Sequence, residues 1–432
     1  MTSPRDAHSA QRTSDDAELA ARRRAVLGPA YRHFYEQPLH PVRGEGVWLH
    51  DVSGRAYLDC YNNVPSVGHC HPDVVAALAS QAATLNTHTR YIQDEIVAYA
   101  ERLVAKFPAA LDTVMFTCTG SEANDLALRV TRDVTGGTGY IVTENAYHGV
   151  TLALADMSPS LQPVASHVRV IRAPDGYRAE PGTDLAARFA ADIRAAAAEL
   201  EAAGHKPAAL IVDTMFASDG IFPVPGVLSA GAAAIRELGG LFIADEVQGG
   251  FARAGRWWGF ERDPGLTPDI VTLGKPMGAG HPMGAMVIQA RHVAEFGSRR
   301  RYFNTFGGNT VSAVVGLAVL DVIEREGLVD SAAEVGARFA NALRERADSH
   351  PKLGDVRAEG LYLGLELVED KATRAPFGKG AADLVNRLRQ EGVLVSTSGP
   401  AGNVLKIRPP LVFRAEHVDR FIQVLDRLLP EL

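Results

Sequence analysis

The chain has 432 residues, 46% of them hydrophobic and 22% charged, with a formal net charge of -7. That balance fits two or three ordinary domains with ample buried core. Beyond the short cluster Arg22-Arg23-Arg24 there is no basic run, which argues against nucleic acid or a membrane surface as a partner. The cluster reads as a solvated helix face. Three cysteines (Cys60, Cys70 and Cys118) form neither a disulfide framework nor a metal-ligand spacing. No metal is expected, and a reducing, cytoplasmic compartment is. No stretch approaches the roughly eighteen consecutive apolar residues of a membrane span.

The first two dozen residues are polar and mixed in charge, without the apolar centre of a signal peptide, and read as a mobile tail or loosely held helix. From about Gly44 to Cys60, short apolar runs between turn residues predict an antiparallel hairpin. Helical spacing predicts two helices between Pro72 and Phe107. Buried strands are expected over 113–119, 140–144, 208–214, 241–245, 270–273 and 285–288. Helices are expected over 122–134 and 185–203, the second so rich in Ala that it reads as a plain surface helix. Continuous apolar strands alternating with helices indicate an α/β fold with a mostly parallel sheet covered on both faces. From about Val311 the helices lengthen. Short strands over 356–359 and 362–367, a further helix and strand, and a last helix over 416–429 then describe a smaller α+β domain.

Five features carry chemistry. An apolar strand ends in Asp245, with Gln248 three positions on; ligands of α/β sheets bind beyond the carboxyl ends of strands. A second strand ends in Gly274-Lys275, flanked by Leu273, Pro276 and Met277, and a desolvated lysine there has the lowered pKa that a Schiff-base amine needs. Thr119-Gly120-Ser121 runs a strand into a helix, and the free amides of a helix start suit a phosphate, although Ser121 as a plain helix cap explains it equally well. Tyr147, after another strand, offers a ring that stacks on a flat cofactor or packs in the core. Its neighbour His148 is read as a site residue or a satisfied loop histidine. Tyr302 to Asn309 is polar and Gly-rich, either a site loop or a linker. Phosphate cradle, stacking ring, carboxylate, amide and activated lysine together spell pyridoxal 5'-phosphate (PLP), whose pyridine nitrogen a carboxylate keeps protonated. Neither a G-x-G-x-x-G after the first strand nor a G-x-x-x-x-G-K-[ST] is present, so nucleotide binding is not indicated.

From about residue 24 onward the sequence resembles the class III aminotransferases of PLP fold type I. Within them it is most similar to the branch of alanine–glyoxylate aminotransferase 2-like proteins and the ethanolamine-phosphate and phosphohydroxylysine phospho-lyases. The stretches Leu58 to Val64, Gly68 to Pro72, Thr119 to Arg129, Ala146 to Gly149, Asp245 to Gln248, Gly274 to Gly278, Phe303 to Asn309 and Lys406 to Leu411 carry the likeness. The resemblance implies a large PLP-binding domain over 71–318, and a small domain built from 24–70 and 319–432, with 1–23 as the tail. It implies that Lys275 holds PLP, Asp245 pairs with the pyridine nitrogen, and Gln248 lies near the phenolic oxygen. Gly120 and Ser121 bind the phosphate, Tyr147 stacks, and His148 and Asp213 complete the cofactor set. Thr305 reaches the phosphate of a neighbouring subunit, which implies a homodimer with shared sites.

Two departures bear on the substrate. Asp213 stands where many members have Glu. Lys406 stands three positions before Pro409-Pro410, where many place a carboxylate-binding Arg, and the arginine here is Arg408. A lysine is a point charge, whereas an arginine is a bidentate fork. Asn62, Arg90, Lys406 and Arg408 are the candidate substrate-binding residues, with surface charge at a strand edge the plain alternative for the last two. The expected activity is amino transfer from a primary amine or ω-amino acid to pyruvate or glyoxylate. The alternative is elimination of phosphate from a phosphorylated amino alcohol, and a third reading is a PLP-binding protein without turnover.

Overall fold

The structure, a computed structural model, describes residues 16–432. Residues 1–15, most of the expected tail, lie outside the described residues; the rest of it belongs to an exposed helix, Asp16–Leu27. The hairpin region forms three strands, β1 (Pro41–Glu45), β2 (Trp48–Asp51) and β3 (Ala56–Asp59), in an antiparallel meander. Helices Pro72–Thr84 and Asp94–Val104 follow as their spacing predicts.

The central sheet contains β4 (Thr113–Thr117), β5 (Gly139–Thr143), β6 (Val168–Ile171), β7 (Pro207–Asp213), β8 (Leu241–Asp245), β9 (Ile270–Leu273) and β10 (Gly284–Ile288), in the order β4-β10-β9-β8-β7-β5-β6. Only β10 runs against its neighbours. Along β7, Leu210 and Val212 enter one apolar cluster while Ala209 and Ile211 enter another, so both faces of the sheet are covered. That is why these strands read as unbroken apolar runs rather than alternating ones. Helix Leu185–Ala202 corrects the expectation of a plain surface helix. It buries Phe189, Ile193, Ala196, Ala197 and Leu200, and packs against β5, β6 and helix Val227–Glu237. The small Ala side chains there allow close approach, a packing role that low complexity disguises in the sequence.

After helices Thr310–Arg325 and Leu328–Ser349 come β11 (Leu353–Glu359), β12 (Tyr362–Asp370), β13 (Ala375–Pro376), β14 (Val393–Leu394), β15 (Ser396–Ser398) and β16 (Val404–Ile407), then helix Ala415–Leu428. β14 pairs in parallel with β3, joining the two ends of the chain in one sheet. In the central sheet Asp213 sits opposite Asp245, and Asp245 opposite Thr272, so β7, β8 and β9 end level with one another. Lys275 follows two residues after β9. The register of three parallel strands therefore sets two carboxylates and the lysine at one edge.

Candidate active site

Asp245 and its partners form the most completely bonded part of this edge. Its Oδ2 accepts the side-chain amide of Asn124 at 3.0 Å and meets His148 Nδ1 at 2.8 Å. Its Oδ1 accepts the Val247 amide at 3.1 Å. Asn124 is held in turn: its Nδ2 also donates to the His148 carbonyl, and its Oδ1 accepts the Thr272 hydroxyl at 2.6 Å. His148 is buried, and its Nε2 has no partner. It is thus a partner of the carboxylate rather than a satisfied loop histidine.

Lys275 opens a short turn, Lys275–Gly278, after Gly274. The Ser66 hydroxyl donates to the Pro276 carbonyl at 2.7 Å and anchors the turn from the N-terminal segment. Burial, together with the charge of Arg408, holds the Lys275 ammonium below the usual lysine range, against the opposing pull of Asp245 and Asp213. A lowered pKa leaves more free amine, the nucleophilic form. A Cβ at Gly274 would come within 3.1 Å of the Gly120 Cα, so this turn and the helix start meet backbone to backbone.

That helix, Gly120–Thr135, is capped by Thr119, whose hydroxyl accepts the Glu122 amide at 3.1 Å. The alternative of Ser121 as the cap is therefore corrected. β4 stops at Thr117, opposite the first residue of β10, Gly284, instead of reaching residue 119. The first amides of a helix have no partner within it, and Gly120 and Ser121 supply them here at the cavity wall. A side chain at Gly120 would place its Cβ 2.8 Å from the Val247 side chain, so any larger residue there forces a shift at the cavity wall. The Ser121 hydroxyl accepts the Val150 amide at 3.2 Å.

On the other side, Gln248 is held from both ends of its amide. Its Oε1 accepts from Arg408 at 2.6 Å and from the Tyr362 hydroxyl at 3.1 Å, while its Nε2 donates to Asp213 at 3.0 Å. Burial and nearby Asp245 push the Asp213 carboxyl up. Lys406 and Arg408 are 7% and 8% exposed, which rules out surface charge at a strand edge for either. Burial and the adjacent Arg408 hold the Lys406 ammonium well below the usual lysine range.

These elements enclose a cavity of about 350 Å³ lined by Gly120, Ser121, Tyr147, His148, Asp213, Asp245, Gln248 and Lys275. The cofactor residues expected from this chain converge there, while Thr305, expected at a neighbouring subunit's phosphate, is exposed on the loop before Thr310–Arg325. The expected substrate residues do not converge on it. Asn62 is a turn residue whose Oδ1 accepts the Val64 amide at 3.1 Å. Arg90 is exposed, with its guanidinium 3.8 Å from the Phe303 ring centre, and lines a separate cavity. Lys406 and Arg408 stand behind the Gln248 wall. Sequence reasoning missed Asn124, Thr272 and Tyr362. A polar Asn among the apolar positions Ala123, Leu126 and Ala127 of Gly120–Thr135 was a readable signal for the first; the others have no local signature.

The residues present fit PLP. The amide cradle suits its phosphate, Asp245 its pyridine nitrogen, Tyr147 its ring face and the Lys275 amine its aldehyde carbon. No described helix is long and apolar enough to cross a membrane.

Comparison with known proteins agrees with this geometry. The class-III aminotransferase family model matches residues 31–429. The chain is 41% identical to an alanine–glyoxylate aminotransferase 2-like protein of Drosophila melanogaster, over 92% of this chain and 83% of the relative. It superposes on an Arthrobacter phospholyase solved in complex with phosphoethanolamine with a TM-score of 0.93 and 43% identity, covering 96% of this chain and 100% of that one. With an (S)-enantioselective ω-transaminase from Thermomicrobium roseum the TM-score is 0.87 at 28% identity, over 97% and 99% of the two chains. The fold is that of the fold-type-I PLP enzymes, the cofactor is PLP, and the chain belongs to the class-III aminotransferase family.

Proposed function

We propose that this enzyme is a phospho-lyase that eliminates phosphate from a phosphorylated amino alcohol of the phosphoethanolamine kind. The observation that carries the reading is the missing guanidinium fork. Among the described residues no arginine lines the cavity, Lys406 occupies the fork position, and Arg408 is engaged by Gln248. An α-carboxylate asks for a planar bidentate partner, which the cavity does not offer, whereas a phosphate is also held by a lysine acting as a point charge. The chain-long likeness to the phosphoethanolamine-bound phospholyase supports the same reading.

When bound, PLP supplies an electron sink for the carbon that carries the substrate amine. The protein's part is to place groups around that carbon. Gly120 and Ser121 hold the cofactor phosphate, Tyr147 covers the ring, and Asp245, fixed by Asn124 and His148, keeps the pyridine nitrogen protonated. Lys275 takes the proton from the amine-bearing carbon. The net change balances with one water: the C–O bond to phosphate breaks, nitrogen leaves as ammonia and the carbon skeleton leaves as an aldehyde.

Amino transfer from a primary amine or ω-amino acid to pyruvate or glyoxylate is the second reading, favoured by the family and by the name of the Drosophila relative. The two separate cleanly. PLP-loaded protein with phosphoethanolamine and no keto acid is expected to release phosphate, ammonia and aldehyde in equal amounts. No phosphate, together with alanine formed from pyruvate and an amine, would replace the lyase by a transaminase. A homodimer in a reducing, cytoplasmic compartment completes the proposal. Thr305 lies beside exposed Phe306, and the loop around exposed Tyr91 and Ile92 is adjacent through His88, which packs on Phe303; such an apolar surface suits a second copy.

A further inference from the structure

We infer that Arg408 is a positioning residue that fixes which end of the Gln248 amide faces which neighbour, and thereby makes Gln248 a hydrogen-bond donor toward the cavity. This role differs from substrate binding and holds for either reaction. A carboxamide has two nearly isosteric orientations, and its neighbours decide between them. A guanidinium can only donate, so the atom 2.6 Å from Arg408 Nη1 is the acceptor Oε1. The Tyr362 hydroxyl, 3.1 Å away, donates to the same oxygen. The opposite end then carries the NH2 group, one hydrogen of which goes to Asp213 Oδ2 at 3.0 Å. The flipped amide would set donor against donor at Arg408 and acceptor against carboxylate at Asp213. Oε1 has both lone pairs engaged, whereas Nε2 keeps a second hydrogen in a side chain that lines the cavity. The cofactor's phenolic oxygen is an acceptor of the kind that hydrogen suits.

Arg408 is itself held for this task. Its backbone amide donates to the Cys60 carbonyl at 2.8 Å, its guanidinium lies 4.8 Å from the Tyr61 ring centre, and Nη1 also reaches Asn63 Oδ1 at 3.4 Å. A planar group set against a ring has little freedom to turn, which a flexible ammonium in the same place would not share.

The test is a double-mutant cycle on PLP affinity, measured by equilibrium dialysis of cofactor-free protein, with Arg408→Lys, Gln248→Leu and both together. Each single change is expected to weaken PLP binding about tenfold, the loss of one charge-assisted hydrogen bond. The double change is expected to weaken it no further than Gln248→Leu alone, and the visible absorption band of bound PLP is expected to shift alike in all three. Losses that multiply, or an Arg408→Lys protein whose affinity and spectrum are unchanged, would overturn the inference. Arg408→Lys keeps the charge and most of the packing. Should it fail to fold, Tyr362→Phe, which removes the other donor to Oε1, takes its place: the inference then requires a smaller loss than Gln248→Leu and none beyond it in the pair, and fails if the losses multiply.

Discussion

At the end of β8, Asp245 is met by an amide side chain, an imidazole and a backbone amide; at the end of β16, Lys406 lies in the field of Arg408, Asp213, Lys275 and Asp219, all of them ionisable. On the first side each carboxylate oxygen has an uncharged donor to set its direction, the Asn124 amide at Oδ2 and the Val247 amide at Oδ1. On the second side burial dominates, holding the lysine down and the aspartates up. A catalytic charge needs fixed direction, so it is surrounded by dipoles. The β16 side sets the balance of charge around Lys275 and Gln248, and it remains sensitive to pH. Four substitutions separate these two kinds of support.

The largest effect is expected at the group both sides serve. Lys275→Ala should lower the turnover rate by about a thousandfold, the middle of the range that a positioned general base contributes. A loss of less than about tenfold would remove Lys275 from the proton transfer. Next comes Asp245→Asn, which keeps shape and removes charge. A fall of roughly a hundredfold in kcat is expected, in line with the loss of one preorganised electrostatic partner. A fall no greater than that of Asp213→Asn would show that direction at β8 confers no advantage.

Asn124→Ala tests the support itself. It leaves Asp245 Oδ2 one donor short and the Thr272 hydroxyl without its acceptor, in a buried setting. Urea unfolding of the cofactor-free protein should show a loss of about 1–3 kcal/mol. An unchanged midpoint would mean that these bonds contribute no stability.

The last test belongs to the β16 side. Asp219 accepts the Thr143 hydroxyl at 2.6 Å and the Asn145 amide at 2.8 Å, yet burial pushes its carboxyl up to about 7. The unfolded carboxyl titrates near 3.9. Between about pH 4 and 7 the folded group keeps a proton that the unfolded chain has lost, so this residue subtracts stability as pH rises through that window, and the subtraction is complete above it. Asp219→Asn should therefore flatten the fall in stability over that range, read from urea midpoints at several pH values. The same slope in both proteins would show that Asp219 is ionised in the fold at all of them.

Much of this was legible along the chain because its signals are local. The runs ending in Asp213, Asp245 and Leu273 declare buried parallel strands, and a carboxylate or lysine at a strand's end declares a site. Gly120-Ser121 at a helix start declares an anion cradle. Local signals also misled where two explanations share a pattern. An Ala-rich helix reads as surface whether or not it packs closely, and a hydroxyl beside a helix start reads as a cap when its neighbour Thr119 holds that role.

By itself, then, the sequence determined the class of fold and the cofactor, since each rests on patterns within a few positions. Only the tertiary structure decided which residues stand behind them. Arg408 follows Gln248 by 160 positions and Tyr362 follows it by 114, while Thr272 lies 148 positions from Asn124. Pairings at such separations are set by strand register and domain packing, which no local pattern encodes. The same packing places Arg90 beside a separate cavity and brings Arg408 onto Gln248, because a buried guanidinium takes the acceptors that surround it.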